Sequence, residues 1–158
     1  MTEQRVVIIM GSKSDFKFVN PIGLMLKDFN VDYEYKVASA HKTPEYLLKT
    51  LKEYEKSEIN VVYVTVAGLS DALSGFVAGF SRYPVISCPP DSESHGWFKI
   101  FSSVMTPQGV PVSLVIKPEN AALAAVKILA LSNPLLYGKL KKFRQARDEK
   151  VIKANLEV

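Results

Sequence analysis

Residues 5–15 read RVVIIMGSKSD. From Arg5 to Met10 the run is continuously apolar and rich in β-branched residues, which suits a strand covered on both faces inside a parallel sheet. The loop GSKSD follows directly, with a glycine, two hydroxyls and a carboxylate placed where the strand ends and a helical pattern begins. Strand, short polar loop and helix together open a βαβ unit.

Working outward, four similar runs follow: Asp32–Val37, Val61–Val66, Val85–Cys88 and Val112–Ile116. They alternate with segments that read as helices, Pro44–Lys56, Leu73–Ser81, Trp97–Val104 and Pro118–Leu131. The alternation predicts an α/β fold with a five-stranded parallel sheet, right-handed crossovers and helices on both faces. The first helix, Ser14–Asn30, contains Pro21 and Gly23. An interior proline removes a hydrogen bond and clashes with the preceding turn, so a kink or a broken first turn is expected, with Asn20 capping a portion that restarts at Pro21. After Ser132-Asn133-Pro134 a last helix runs to about Asn155, with Leu136, Leu140 and Phe143 on one stripe. The 158 residues, 47% hydrophobic and 23% charged, fit a single domain spanning residues 1–158.

Composition narrows the function classes. The apolar runs are strand-sized, far below the roughly 20 residues of a membrane span, and the N-terminus lacks a signal-peptide pattern, so a cytoplasmic protein is expected. The single cysteine, Cys88, cannot form an intramolecular disulfide and reads as a packing residue. One cysteine with the two separated histidines His41 and His95 offers no metal-ligand spacing. The net charge of +4 comes largely from Lys139–Lys153, where Asp148, Glu149 and apolar residues interrupt the basic ones. That pattern reads as a solvated helix face and not as a nucleic-acid interface.

In an open parallel sheet, ligands bind at the carboxyl ends of the strands. Four loops lie there: Gly11–Asp15, Ser39–Thr43, Ala67–Ala72 and Pro89–Ser92. In the first, Ser12 and Ser14 at a helix N-terminus favour an anion such as phosphate, whereas the Asp15 carboxylate suits ribose hydroxyls; Ser14 reads equally well as a plain N-cap. The loop lacks both GxGxxG and the GxxxxGK[ST] pattern, so nucleoside triphosphate binding is not indicated. In the second, His41 stands between Ser39 and Lys42. It reads either as a structural histidine or as a general acid-base, for which hydrogen-bonding and charged neighbours are the requirement. Lys42 can hold a phosphate as a point charge. The third loop, AGLSDA, is small at Ala67, Gly68, Ser70 and Ala72, so its backbone can approach a small planar ligand, or it is a tight turn with Asp71 as helix cap.

Taken in order, MGSKSD, SAHKTP, VAGLSDALSGF and SCPP, with SSVMTPQGVPVSLVIKPENAALAAVKIL, resemble the aminoimidazole ribonucleotide carboxylase/mutase family of purine biosynthesis, from about Val6 to Leu131. The resemblance implies a flavodoxin-like three-layer α/β/α sandwich, a homo-octamer and no cofactor. Within the family the chain looks like the class II branch, which carboxylates 5-aminoimidazole ribonucleotide with carbon dioxide. Lys42 follows His41 where the bacterial mutases usually have arginine, Ala72 stands where they have a second histidine, and Cys88-Pro89-Pro90 replaces their GVP-type strand end. The alternative is the mutase branch, which moves a carboxyl group from the exocyclic amine to the ring carbon; a non-catalytic nucleotide-binding module is a third reading. By motif, the family's roles imply that Ser12, Lys42 and Ser39 hold the phosphate, Asp15 the ribose, and His41 the catalytic proton. Gly68, Ser70, Asp71 and Ala72 would lie beside the carbon dioxide site. The chain departs from the family pattern at Asp71, where asparagine is frequent, at Thr106 before Pro107, where methionine is usual, and at Lys99, where aspartate is common.

Overall fold

The structure, a computed structural model, describes residues 3–90 and 96–155, with nothing described of the side chains of Gly96 and Trp97. Five strands, β1 (Gln4–Met10), β2 (Asp32–Val37), β3 (Asn60–Val66), β4 (Val85–Ser87) and β5 (Ser113–Leu114), form one sheet in the order β2-β1-β3-β4-β5. Every pairing is parallel. The helices are α1 (Phe16–Asp28), α2 (Pro44–Glu55), α3 (Ala72–Phe80), α4 (Phe101–Val104), α5 (Pro118–Ala130) and α6 (Pro134–Ala154), and 3-10 turns precede α1 at Lys13–Asp15 and α4 at Gly96–Ile100.

The side-chain alternation of β1 divides the interior into two cores. Val6, Ile8 and Met10 point to one face, where Val19, Ile22 and Leu26 of α1 and Ala121, Ala125 and Val126 of α5 cover them. Val7 and Ile9 point to the other, against Leu47 and Leu51 of α2 and Leu73 and Val77 of α3. A strand buried on both sides has no polar register to alternate with, which is why RVVIIM reads as a continuous apolar run. This is the three-layer, flavodoxin-like arrangement that the family resemblance implies, and the strand order switches from one side of β1 to the other between β2 and β3, leaving a crevice between β1 and β3.

The expected break at Pro21 does not occur. α1 runs unbroken from Phe16 to Asp28, so Asn20 is an interior residue and not a cap. The backbone group that Pro21 leaves without its helical donor is the carbonyl of Lys17, on the exposed side. Val19, Ile22 and Leu26, all fully buried, hold the helix on the sheet across the proline. The helix then ends at Asn30 with φ 55°. The Val31 N–H bonds the Leu26 carbonyl at 3.0 Å and the Asn30 N–H bonds that of Lys27 at 2.8 Å, a left-handed cap that asparagine tolerates.

Two further elements are shorter than the sequence suggests. β5 covers only Ser113–Leu114 because it is an edge strand entered from Pro111, which has no N–H to donate, while Val112 packs into the second core. β4 stops at Ser87, although the Cys88 N–H still donates to the Thr65 carbonyl at 2.9 Å before Pro89-Pro90 turns the chain away. Trp97–Val104, expected as a helix, is a 3-10 turn followed by the single turn α4.

Candidate active site

At the carboxyl ends of the strands, the loops after β1 and β3 flank the point where strand order reverses, and the loop after β2 lies beside them. The Gly11 N–H donates to the Val66 carbonyl at 2.9 Å and the Ala38 N–H to the Met10 carbonyl at 3.0 Å, so the three loops leave the sheet from a common hydrogen-bonded rim.

In the β1 loop the cap is Ser12 and not Ser14. Ser12 Oγ accepts the Ser14 N–H at 3.3 Å and the Ser14 hydroxyl at 2.8 Å, while the Asp15 carboxylate accepts the Ser12 N–H through Oδ2 at 3.1 Å. Reciprocal bonding of this kind closes a capping box. It leaves the Ser12 hydroxyl hydrogen free to donate outward, towards an anion at a helix start. The second Asp15 oxygen, Oδ1, faces Gly68, where a methyl group in place of the glycine hydrogen would sit 3.5 Å away. Burial raises the Asp15 pKa, partly offset by the Ser12 hydrogen bond and the positive charge of Lys99.

The β2 loop is stitched at its base. The Ser39 N–H donates to Thr43 Oγ1 at 3.0 Å, the Lys42 N–H to Ser39 Oγ at 3.2 Å, and the Thr43 N–H to the Ser39 carbonyl at 2.9 Å. The Ser39 hydroxyl hydrogen is again left for a ligand. These bonds present His41 and Lys42 as exposed side chains on the turn leading into α2. His41 is the one histidine among the described residues, and among them no hydrogen bond ties its imidazole to the fold. It therefore lacks the buried carbonyl partner that a purely structural histidine has.

In the β3 loop, Gly68 and Ala72 are half-buried and Leu69 and Ser70 exposed. Asp71 is 2% exposed, and its carboxylate turns into the protein. Oδ1 accepts the Ser74 N–H at 2.9 Å, capping α3, and Oδ2 accepts the hydroxyls of Ser74 at 2.5 Å, Ser87 at 2.6 Å and Ser103 at 2.6 Å. The Thr65 hydroxyl stands 2.7 Å from that of Ser74. Even the Asp71 N–H is taken, donating to Ser102 Oγ at 2.9 Å. The expectation that Asp71 lines the ligand site is corrected in one respect: its carboxylate braces the loop from beneath and does not face the crevice. A buried carboxylate needs such a ring of donors. The cap was legible from Asp71 at the start of the helical pattern; that Ser74, Ser87 and Ser103 form a ring of hydroxyls around it was not, since nothing in their local sequence marks them.

Around these loops, Cys88 is fully buried, its Sγ 3.6 Å from the Ile116 carbonyl, and burial followed by the nearby Glu119 charge pushes its thiol up to about 12. It packs, as expected. Of the fourth loop, Asp91 and Ser92 lie outside the described residues, as does His95. A groove of about 680 Å³ sits at the opposite end of the sheet, between Phe29–Asp32 and α6. Within it Lys139 Nζ bonds the Phe29 carbonyl at 2.8 Å and so caps the end of α1, and no histidine lines it. The hydroxyls of Ser12 and Ser39, with Asp15 beside Gly68 and exposed His41 on the neighbouring β2 loop, make the carboxyl end of the sheet the candidate site.

Known proteins resemble the chain over most of its length. The AIR carboxylase family profile matches residues 5–150. The chain is 47% identical over 154 residues to phosphoribosylaminoimidazole carboxylase of Archaeoglobus fulgidus, covering 98% of this chain and 84% of that protein. It is 41% identical over 147 residues to the enzyme of the same name from Treponema denticola, covering 93% and 92%. It is also 39% identical over 156 residues to N5-carboxyaminoimidazole ribonucleotide mutase of Saccharolobus solfataricus, covering 97% and 98%. The crystal structure of Treponema denticola PurE superposes with a TM-score of 0.95 at 39% identity, covering 98% of each chain. A family match over most of the chain, relatives well above 30% identity and a near-complete structural superposition converge: the chain belongs to the AIR carboxylase family, whose members act in purine biosynthesis.

Proposed function

We propose that the protein carboxylates 5-aminoimidazole ribonucleotide directly with carbon dioxide, with His41 transferring the ring-carbon proton. The observation that carries this reading is His41 itself, an exposed imidazole that no hydrogen bond among the described residues ties down, on the β2 loop whose Ser39 hydroxyl is left to donate. The higher identity to the two carboxylases than to the mutase supports the choice of branch.

In this reading Ser12, Ser39 and Lys42 bind the phosphate, Ser14 holding Ser12 in place, and Asp15 binds the ribose hydroxyls, orienting the ring before any bond forms. The ring carbon beside the exocyclic amine is electron-rich and attacks carbon dioxide. The resulting tetrahedral carbon carries both the new carboxylate and its original hydrogen, and His41 removes that proton to restore the aromatic ring. The small loop Gly68–Ala72 forms the carbon dioxide side of the pocket. With the Asp71 carboxylate facing inward, no negative charge from this loop opposes the carboxylate being formed.

The mutase reading is kept open by the relative from Saccharolobus solfataricus; there the N-carboxy compound releases carbon dioxide in the site and the same carbon recaptures it. Initial rates with aminoimidazole ribonucleotide plus carbon dioxide, compared with the N-carboxy compound, separate the two. Turnover of only the latter overturns the proposal. Replacing His41 with Asn is expected to lower kcat by at least about 100-fold while substrate binding, measured by calorimetry, stays within about threefold.

The wider reading is a single domain, cytoplasmic, assembled as a homo-octamer. Among the described residues no helix is long and apolar enough to cross a membrane. Leu131, Leu135 and Tyr137 are 89%, 70% and 59% exposed at the start of α6, which supports contact with other subunits; light scattering on the purified protein gives the subunit number.

A further inference from the structure

The loop after β3 is fastened at both ends by residues remote in sequence. At its start the Val66 carbonyl accepts the Gly11 N–H at 2.9 Å. At its end two adjacent residues of α4 grip Asp71: the Asp71 N–H donates to Ser102 Oγ at 2.9 Å, and Asp71 Oδ2 accepts the Ser103 hydroxyl at 2.6 Å. Each serine is itself anchored. The Ser102 hydroxyl donates to the Lys99 carbonyl at 2.6 Å, and Ser103 Oγ stands 3.0 Å from that of Ser87 on β4. The pair differs in burial, Ser103 being fully enclosed and Ser102 exposed. Water can take the place of an exposed hydroxyl, so the Ser102 bond adds little to global stability, and its effect falls on the path of the loop.

We propose that Ser102 and Ser103 are positioning residues for the reaction: acting through Asp71, they hold the Gly68–Ala72 loop as a ready-made wall for carbon dioxide. The inference rests on the reading that puts this loop on the carbon dioxide side of the pocket. Because the two serines hold both the backbone and the side chain of Asp71, they set the course of Gly68, Leu69 and Ser70 just before it. A preformed wall matters for this substrate in particular. Carbon dioxide is triatomic and uncharged; the binding energy of so small a ligand is too little to order a loose loop, and the order has to be built into the fold. The ribonucleotide is held by the β1 and β2 loops in the same reading, so the tie bears on one substrate and not on the other. Neither serine touches a reacting atom.

The test uses the full chain with Ser102→Ala, Ser102→Thr and Ser103→Ala. In the substrate-free protein, hydrogen exchange of the Gly68–Ala72 amides is expected to quicken about tenfold in both alanine variants and to stay near wild type in Ser102→Thr, which keeps the hydroxyl. The Tm of Ser102→Ala is expected to stay within about 2 °C of wild type. In turnover, Ser102→Ala is expected to raise the KM for carbon dioxide about fivefold, with kcat and the KM for aminoimidazole ribonucleotide within about twofold and Ser102→Thr restoring the wild-type value. If the wild type turns over only the N-carboxy compound, direct carboxylation falls and the same tie is read as leakage: Ser102→Ala then releases about fivefold more aminoimidazole ribonucleotide per turnover. Loop exchange unchanged in both alanine variants overturns the tie. Faster exchange with neither the carbon dioxide KM nor the leakage altered, or with both KM values raised alike, overturns the positioning role and leaves the choice between carboxylase and mutase untouched.

Discussion

At Asp15, the proposed ribose-binding role and stability pull in opposite directions. Desolvation raises its pKa, ahead of the Ser12 hydrogen bond and Lys99 that lower it, so the folded protein holds a proton there more readily than the unfolded chain does. Ionised Asp15 therefore costs stability above its folded pKa, and the cost fades as pH falls through that value. Asp15→Asn keeps an oxygen to accept the Ser12 N–H. It is expected to be neutral to slightly stabilising at neutral pH, within about 0.5 kcal/mol because the group is only partly buried and solvent screens it, with the gain vanishing in the acid range. Thermal denaturation across pH reads this directly, while KM should rise. A clear loss of stability at neutral pH would show that the carboxylate is a structural requirement. Glu34 is the opposite case. Burial opposes its charge, but hydrogen bonds from Tyr54, Lys36 and Arg5 outweigh it and hold its pKa low, so its contribution is present at neutral pH and is lost only as pH falls through that lowered value.

Between elements, two contacts decide how the layers meet. On one face, Tyr33 and Tyr35 of β2 pack on α1, their rings 5.5 Å apart and edge-on, with Phe16 edge-on to Tyr35 at 5.3 Å. A methyl group on Gly23 would lie 2.0 Å from Tyr35 Oη and 2.8 Å from Tyr33 Cε2. Gly23→Ala improves helix propensity by about 1 kcal/mol, yet overpacking against two interlocked rings is expected to outweigh it for a net loss of about 1–2 kcal/mol. Urea denaturation measures the balance, and a stabilised variant would mean that the tyrosines yield easily. On the other face, Asp71 ties α3, β4 and α4 together. Asp71→Ala strands a helix-cap N–H and three buried hydroxyls, with an expected cost of about 3 kcal/mol or more, against about 1 kcal/mol for Ser103→Ala, which removes one donor. Equal effects of the two in chemical denaturation would mean that the ring is not a unit. Sequence periodicity found α1 but overrated Pro21, because it weighs a lost hydrogen bond and not the buried Val19, Ile22 and Leu26 that bridge the proline.

For the whole molecule, the fully buried Cys88 is a built-in reporter. With its thiol pushed up to about 12, and shielded between β4 and α5, labelling by a thiol reagent is expected only when the fold opens globally. Labelling rates measured with increasing denaturant should then track global unfolding; rapid labelling of the native protein would reveal a local opening of that edge of the sheet. What the sequence determined by itself was the α/β class, the run of parallel strands and which loops lie at the carboxyl ends of those strands. These depend on local signals: unbroken β-branched runs, polar loops at strand ends, and motifs confined to a few adjacent residues. Only the tertiary structure decided that α1 crosses Pro21 intact, that Asp71 turns inward, and that Lys99 is buried. Each of those depends on what packs against a residue from elsewhere in the chain, such as Ser87 and Ser103 around Asp71, and no local pattern records a partner that folding alone brings into contact.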